Sequence, residues 1–149
     1  MCGIVGYLGN NKAKEVILKG LKRMEYRGYD SAGISTMNVD TLEISKIKGK
    51  VADLEVSISD DLHQGGMGIG HTRWATHGAP NIKNAHPHSD NSGKFTLVHN
   101  GIIENYNTLK ELLSDNGIIC KTETDTEVLV QFIGYLYEKE KLGFVDIVR

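Results

Sequence analysis

Apolar positions recur with two different periods along this chain, and the switches between them mark out its elements. Cys2 to Leu8 is apolar and punctuated by glycine, which predicts a buried strand that carries the second residue into the interior. Ala13, Val16, Ile17, Gly20, Leu21 and Met24 then share one face of a 3.6-residue repeat, with Lys14, Glu15, Lys19, Lys22 and Arg23 opposite, so a helix is expected. Tyr26-Arg27-Gly28-Tyr29-Asp30 stops it and turns the chain.

Ala32 to Met37 and Leu42 to Ile47 read as a hairpin around the polar turn Asn38-Val39-Asp40. Lys50 to Ile58 is expected as a short helix and Met67 to Thr72 as a buried strand. Arg73 to Gly93 is rich in Gly, Pro, His, Asn and Ser, a loop of about twenty residues and long enough to expect a function for it. Phe95 to His99 is expected as a strand, Asn100-Gly101 as a turn, and Ile102-Ile103 as a return to extended chain. Asn105 is the expected cap of a helix bearing Leu109, Leu112 and Leu113, with Asn116-Gly117 as its stop. Ile118 to Lys121 is expected as a strand. Thr124 and Glu127 then form a capping box ahead of a last helix with Val128, Leu129, Phe132, Ile133 and Leu136 on its apolar face.

Composition narrows the class. With 149 residues, 40% hydrophobic and 24% charged, the chain has ordinary globular composition and enough length for one core, so one domain is expected. The net charge is −2 and Lys and Arg are scattered, which argues against nucleic acid as a partner. The N-terminal apolar run has neither the basic flank nor the cleavage site of a signal peptide, and no segment has the length and apolarity of a membrane span. Two cysteines, Cys2 and Cys120, allow at most one disulfide and give no sign of export, so a cytoplasmic protein is expected. Cys120 reads as a packed strand residue.

The candidate chemistry starts at Cys2. Loss of Met1 would make it the N-terminal residue, with a thiol and a free amine together. A free thiol titrates near ~8.5 and an α-amine at roughly 7.7–8.0, so that amine is a suitable base for activating the thiol. Taken alone, Cys2 reads first as a small buried residue opening a strand. Arg73 leaves a strand for the long loop beside Trp74, Thr76 and His77; it is either a solvated charge or a bidentate carboxylate ligand. Asn100 and the Gly101 N–H are either a simple turn or two neutral donors for one oxygen. Asp125 is a helix-start residue that could also receive an ammonium. His71, His77, His86, His88 and His99 suggest a metal, but His86-Pro87-His88 lacks zinc spacing, and neither P-loop nor dinucleotide glycine pattern occurs. No metal or organic cofactor is expected.

Taken together, Met1-Cys2-Gly3-Ile4-Val5-Gly6, Tyr26 to Gly33, His71 to Gly78, His99 to Asn105 and Thr124-Asp125-Thr126-Glu127 resemble the class II glutamine amidotransferase domain. Tyr-Arg-Gly-Tyr-Asp-Ser and His-Thr-Arg-Trp-Ala-Thr-His-Gly resemble its glucosamine-6-phosphate synthase branch more than the phosphoribosyl-pyrophosphate amidotransferases or asparagine synthetases. The resemblance implies an N-terminal-nucleophile fold, a four-layer α/β/β/α sandwich of which residues 1–149 would be the N-terminal portion, with the later strands and the sugar-isomerase domains absent.

By resemblance, Cys2 attacks the side-chain amide of L-glutamine, while Asn100 and Gly101 hold the oxyanion. Arg73 and Asp125 read the α-carboxylate and α-ammonium, and Thr76 and His77 complete the pocket. Arg27 orients the cysteine, and Trp74 closes the site and gates ammonia toward fructose-6-phosphate, which only the absent domain would bind, for hexosamine biosynthesis. Three alternatives stay open at this point: another class II amidotransferase, an N-terminal-nucleophile peptidase or amide hydrolase, and a non-catalytic glutamine-binding module.

Overall fold

A computed structural model describes residues 2–74, 79–141 and 143–149. Its first half is a four-stranded antiparallel sheet in the order β1-β4-β2-β3, built from β1 (Gly3–Leu8), β2 (Ser31–Asn38), β3 (Thr41–Ile47) and β4 (Met67–Arg73). β2 and β3 form the expected hairpin, closing at the pair Asn38↔Thr41 with Val39 at φ 55. Helix α1 (Ala13–Met24) lays Ala13, Ile17, Leu18 and Leu21 onto one face of the sheet. These side chains join Ala32 and Ile34 of the sheet and Val51 and Leu54 of α2 (Val51–Ser57) in one buried core. Removing this apolar surface from water is the main term that fixes α1 and α2 to the sheet, at roughly 1.5–3 kcal/mol for each fully buried Leu, Ile or Val side chain.

The other face of the sheet meets a second layer. Because successive strand residues alternate in direction, Gly33 faces away from Ile34 and the core. A Cβ at Gly33 would stand 2.2 Å from the carbonyl oxygen of His86, so only a glycine lets residues 84–88 approach this closely. That segment leads into β5 (His88–Ser89), which pairs antiparallel with β6 (Thr96–Leu97). Helix α4 (Asp125–Glu140) covers the β5–β6 pair and packs with α3 (Tyr106–Asp115), and a short α5 (Phe144–Val148) follows. The layers therefore run helix, sheet, sheet, helix, as expected.

Register decides where the functional residues meet. β1 runs antiparallel to β4 with Gly3 opposite Thr72, which carries Cys2 to the C-terminal end of β4. β2 lies on the other side of β4 with Ser31 opposite Arg73.

Five local expectations differ from the structure. Of Phe95 to His99, only Thr96 and Leu97 enter a ladder. Ile103 does not return to a strand, since its N–H is bonded to Asp125 Oδ2 at 2.9 Å. Ile118 to Lys121 is irregular as well: the N–H groups of Lys121 and Thr122 donate to the two carboxylate oxygens of Glu127, at 2.8 and 2.5 Å. That use of Glu127 also halves the capping box, for Thr124 Oγ1 accepts the Glu127 N–H at 3.3 Å while the carboxylate is engaged elsewhere. Asn105 stands at the N-cap of α3, but its side chain makes no capping bond. The stop at Asn116-Gly117 is as expected, with Gly117 at φ 79 and the Ile118 N–H returning to Leu113 O.

Candidate active site

Strand ends and loops from distant parts of the chain converge on one cavity of about 590 Å³. Its walls include Cys2, Arg73, Trp74, Asn100, Gly101 and Asp125, six of the residues singled out from sequence. Thr76 and His77 lie outside the described residues. Arg27 is exposed on the 3₁₀ turn Glu25–Arg27, where its Nε donates to Tyr26 Oη at 3.3 Å and its guanidinium stands 5.7 Å from the Tyr26 ring centre. It is not among the residues lining the cavity.

The thiol of Cys2 is half-buried. Its Sγ accepts the Trp74 N–H at 3.2 Å and stands 3.6 Å from the Trp74 carbonyl oxygen, so the end of β4 fixes the position of the sulfur. Asn100 approaches from the turn after β6, and its Nδ2 donates to the carbonyl oxygen of Cys2 at 3.4 Å. The other end of that amide, Oδ1, lies 2.7 Å from His71 Nε2.

Arg73 is the last residue of β4 and only 4% exposed, with Nη1 donating to Ala79 O at 3.3 Å. Asp125 is the first residue of α4 and 7% exposed. There, the N-terminal partial charge of α4 favours a carboxylate. One of its oxygens accepts the Ile103 N–H, and the other is 3.3 Å from Thr126 Oγ1. A carboxylate has about four lone-pair sites, so these contacts leave Asp125 capacity for a further donor.

Three features of the site were missed from sequence. The first is a stack of buried imidazoles: the rings of His71 and His86 lie 4.3 Å apart at 22°, and His88 meets His86 edge-on at 4.9 Å. Burial lowers all three; His71 falls to about 4 and His88 to about 3, while His86 goes lower still, so the stack is uncharged at neutral pH. The spacing of 86 and 88 was legible, but those two rings meet edge-on, and it is His71 that stacks on His86. Among the described residues no group of His, Cys, Asp or Glu is arranged to hold a metal ion.

The second is the contact of His71 Nε2 with Asn100 Oδ1, for which a histidine on a strand gave no local signal. The third is a latch on the loop after Trp74. Glu123 accepts the Ala79 N–H at 3.1 Å and the Asn84 Nδ2 at 2.8 Å, and Asn84 Oδ1 accepts the Glu123 N–H at 3.0 Å. These partners are too far apart in sequence for any local pattern to reveal.

Chemically, the cavity brings together a thiol, a neutral side-chain amide donor beside it, a guanidinium and a carboxylate. That set suits acyl transfer from a small zwitterionic molecule carrying a carbonyl. Similarity to known proteins points the same way. A family model described as a glutamine amidotransferase domain matches residues 44–140. The glutamine--fructose-6-phosphate aminotransferase [isomerizing] of Staphylococcus epidermidis is 57% identical over 147 residues, which are 98% of this chain and 24% of that protein. Its namesake in Oceanobacillus iheyensis is 56% identical over 140 residues, 93% of this chain and 23% of that protein. The chain thus spans about a quarter of the length of these curated relatives.

Among solved structures, glutamine phosphoribosylpyrophosphate amidotransferase from B. subtilis, complexed with ADP and GMP, superposes with a TM-score of 0.81 at 28% identity, covering 99% of this chain and 31% of that one. A structure titled as the allosteric regulatory enzyme of purine biosynthesis gives 0.81 at 29% identity, covering 99% and 32%. The fold is accordingly that of the N-terminal-nucleophile amidotransferases.

Proposed function

The chain belongs to the glutamine amidotransferase domain family, and on that premise we propose that Cys2, as an N-terminal residue, hydrolyses glutamine to glutamate and ammonia. The observation that carries this reading is the convergence of Cys2, Arg73, Asn100 and Asp125, four residues remote in sequence, on one cavity. The thiol proton passes to the α-amine of the same residue, directly or through water, and Sγ attacks the side-chain carbonyl carbon of glutamine. Negative charge then develops on the carbonyl oxygen, where Asn100 Nδ2 and the Gly101 N–H donate to it. The intermediate collapses as the leaving nitrogen takes up a proton and departs as ammonia, leaving a glutamyl thioester. Water attacks that thioester and releases glutamate with the thiol restored.

Arg73 pairs with the α-carboxylate of glutamine and Asp125 with its α-ammonium. Thr76 and His77 complete the pocket and Trp74 closes over the bound amino acid, while Arg27, which the resemblance would have orient the terminal cysteine, stands outside the cavity lining. In a longer polypeptide of the kind named in the curated relatives, the ammonia goes on to fructose-6-phosphate and forms glucosamine-6-phosphate for hexosamine biosynthesis. A cytoplasmic location suits this chemistry, and among the described residues no helix is long and apolar enough to cross a membrane.

The test is an electrophilic glutamine analogue offered to protein beginning at Cys2 and to protein retaining Met1. Covalent mass addition at Cys2 in the first form only is expected, because a peptide nitrogen has a delocalised lone pair and cannot take the thiol proton. Reversible binding without an adduct would favour a glutamine-binding module. Absence of both binding and adduct would favour a peptidase or other amide hydrolase.

A further inference from the structure

We propose that His71 is a positioning residue for this reaction, donating from Nε2 to Asn100 Oδ1 and so locking the Asn100 amide with its NH₂ toward Cys2. This inference rests on the oxyanion role proposed for Asn100. The two ends of an asparagine amide are interchangeable in shape, and its neighbours decide which way it points. One neighbour, the carbonyl oxygen of Cys2, can only accept a hydrogen bond, so the atom 3.4 Å from it is the NH₂ group. Oδ1 must then face His71 Nε2 at 2.7 Å, which requires the hydrogen to be on Nε2.

The rest of the ring agrees with that tautomer. His71 Nδ1 is buried with no hydrogen-bond partner, and buried N–H groups are more rarely left orphaned than buried acceptors. The ring itself has little freedom. His71 belongs to β4, paired on one side with Ile4 and on the other with Gly33, is 1% exposed, and stacks on His86. Rotation of the Asn100 amide by 180° would set Oδ1 against the Cys2 carbonyl and turn an acceptor toward the developing oxyanion. The His71 N–H opposes that rotation.

The experiment measures glutaminase kinetics on the complete gene product that carries this domain, processed to begin at Cys2. His71→Leu should lower kcat roughly a hundredfold with KM little changed, the scale of loss that misplacement of a catalytic group brings. His71→Gln, which keeps an N–H donor near the same point, should recover most of that loss. In an Asn100→Ala background, His71→Leu should cost no more than about twofold further, because a residue that acts through Asn100 has nothing left to orient.

Additive losses in the double variant would overturn the role of His71 while leaving that of Asn100 intact. An unchanged kcat in Asn100→Ala alone would overturn both. Imidazole ¹⁵N spectra of the unmutated protein decide the matter even if His71→Leu does not fold. The Nε2–H tautomer is expected, and an Nδ1–H tautomer would overturn the proposal.

Discussion

The indole of Trp74 rests against the backbone of Gly28: a Cβ at Gly28 would lie 2.3 Å from Cζ3 and 2.5 Å from Cε3 of the ring. Gly28 also has φ 93 and ψ 149, a region essentially restricted to glycine, where an L side chain costs on the order of 1–3 kcal/mol. The turn that ends the first helix thereby sets the position of the residue whose backbone holds the Cys2 sulfur. Trp74 is the only tryptophan of the chain, so its emission reports on this contact directly. Gly28→Ala should shift the emission maximum and lower Tm. An unchanged spectrum would show that the ring does not depend on Gly28.

Cys2→Ala should abolish ammonia release while leaving glutamine affinity largely intact, since the thiol makes the bond and other groups read the ligand. The paired measurements are glutaminase rate and calorimetric Kd. Turnover within tenfold of the unmutated enzyme would remove Cys2 from the role of nucleophile.

Asn100→Ala and Arg73→Lys should separate cleanly in kinetics. The first removes a donor to charge that appears only in the transition state, so kcat falls at a typical cost of ~2.7–4 kcal/mol. The second replaces a planar fork by a point charge, so KM rises more than kcat falls. Exchanged phenotypes would mean that the two roles are assigned the wrong way round.

Acid should destabilise the fold through its buried imidazoles. His71 and His88 are held neutral, at about 4 and about 3, whereas in the unfolded chain they titrate near ~6.5. Between those values the unfolded state binds more protons, so stability is complete above ~6.5 and falls as pH drops toward 4. Each tenfold difference in proton affinity between the two states is about 1.4 kcal/mol, which places the combined loss at several kcal/mol. Urea midpoints measured from pH 7 to pH 4 should fall steadily, and His88→Asn should flatten the slope. A flat profile across this range would show that the stack is not buried in solution.

Much of the local structure was legible because it depends on neighbours in sequence. The 3.6-residue repeat from Ala13 to Met24 determines an amphipathic helix, and α1 spans those residues. The polar turn at Asn38-Val39-Asp40 determines the hairpin, and Thr124 determines where α4 begins, through its bond from the Glu127 N–H. Cys2, Arg73, Asn100 and Asp125 were legible as chemistry, since each residue type has few uses in its setting, and as a set through resemblance.

What tertiary structure decided was partnership. Alternating or apolar runs such as Phe95 to His99 and Ile118 to Lys121 express compatibility with a strand, but a strand exists only where another segment offers hydrogen-bond partners. The Glu127 carboxylate took the donors of Lys121 and Thr122, and Asp125 took that of Ile103. The same holds for the histidines: sequence showed their spacing, while the close approach at Gly33 brought His86 against His71 and set that stack behind Asn100. Helix periodicity and caps are satisfied within a few residues of chain. The setting of the Asn100 amide, between the Cys2 carbonyl and His71, depends on separate parts of the chain, and only the folded arrangement brings them together.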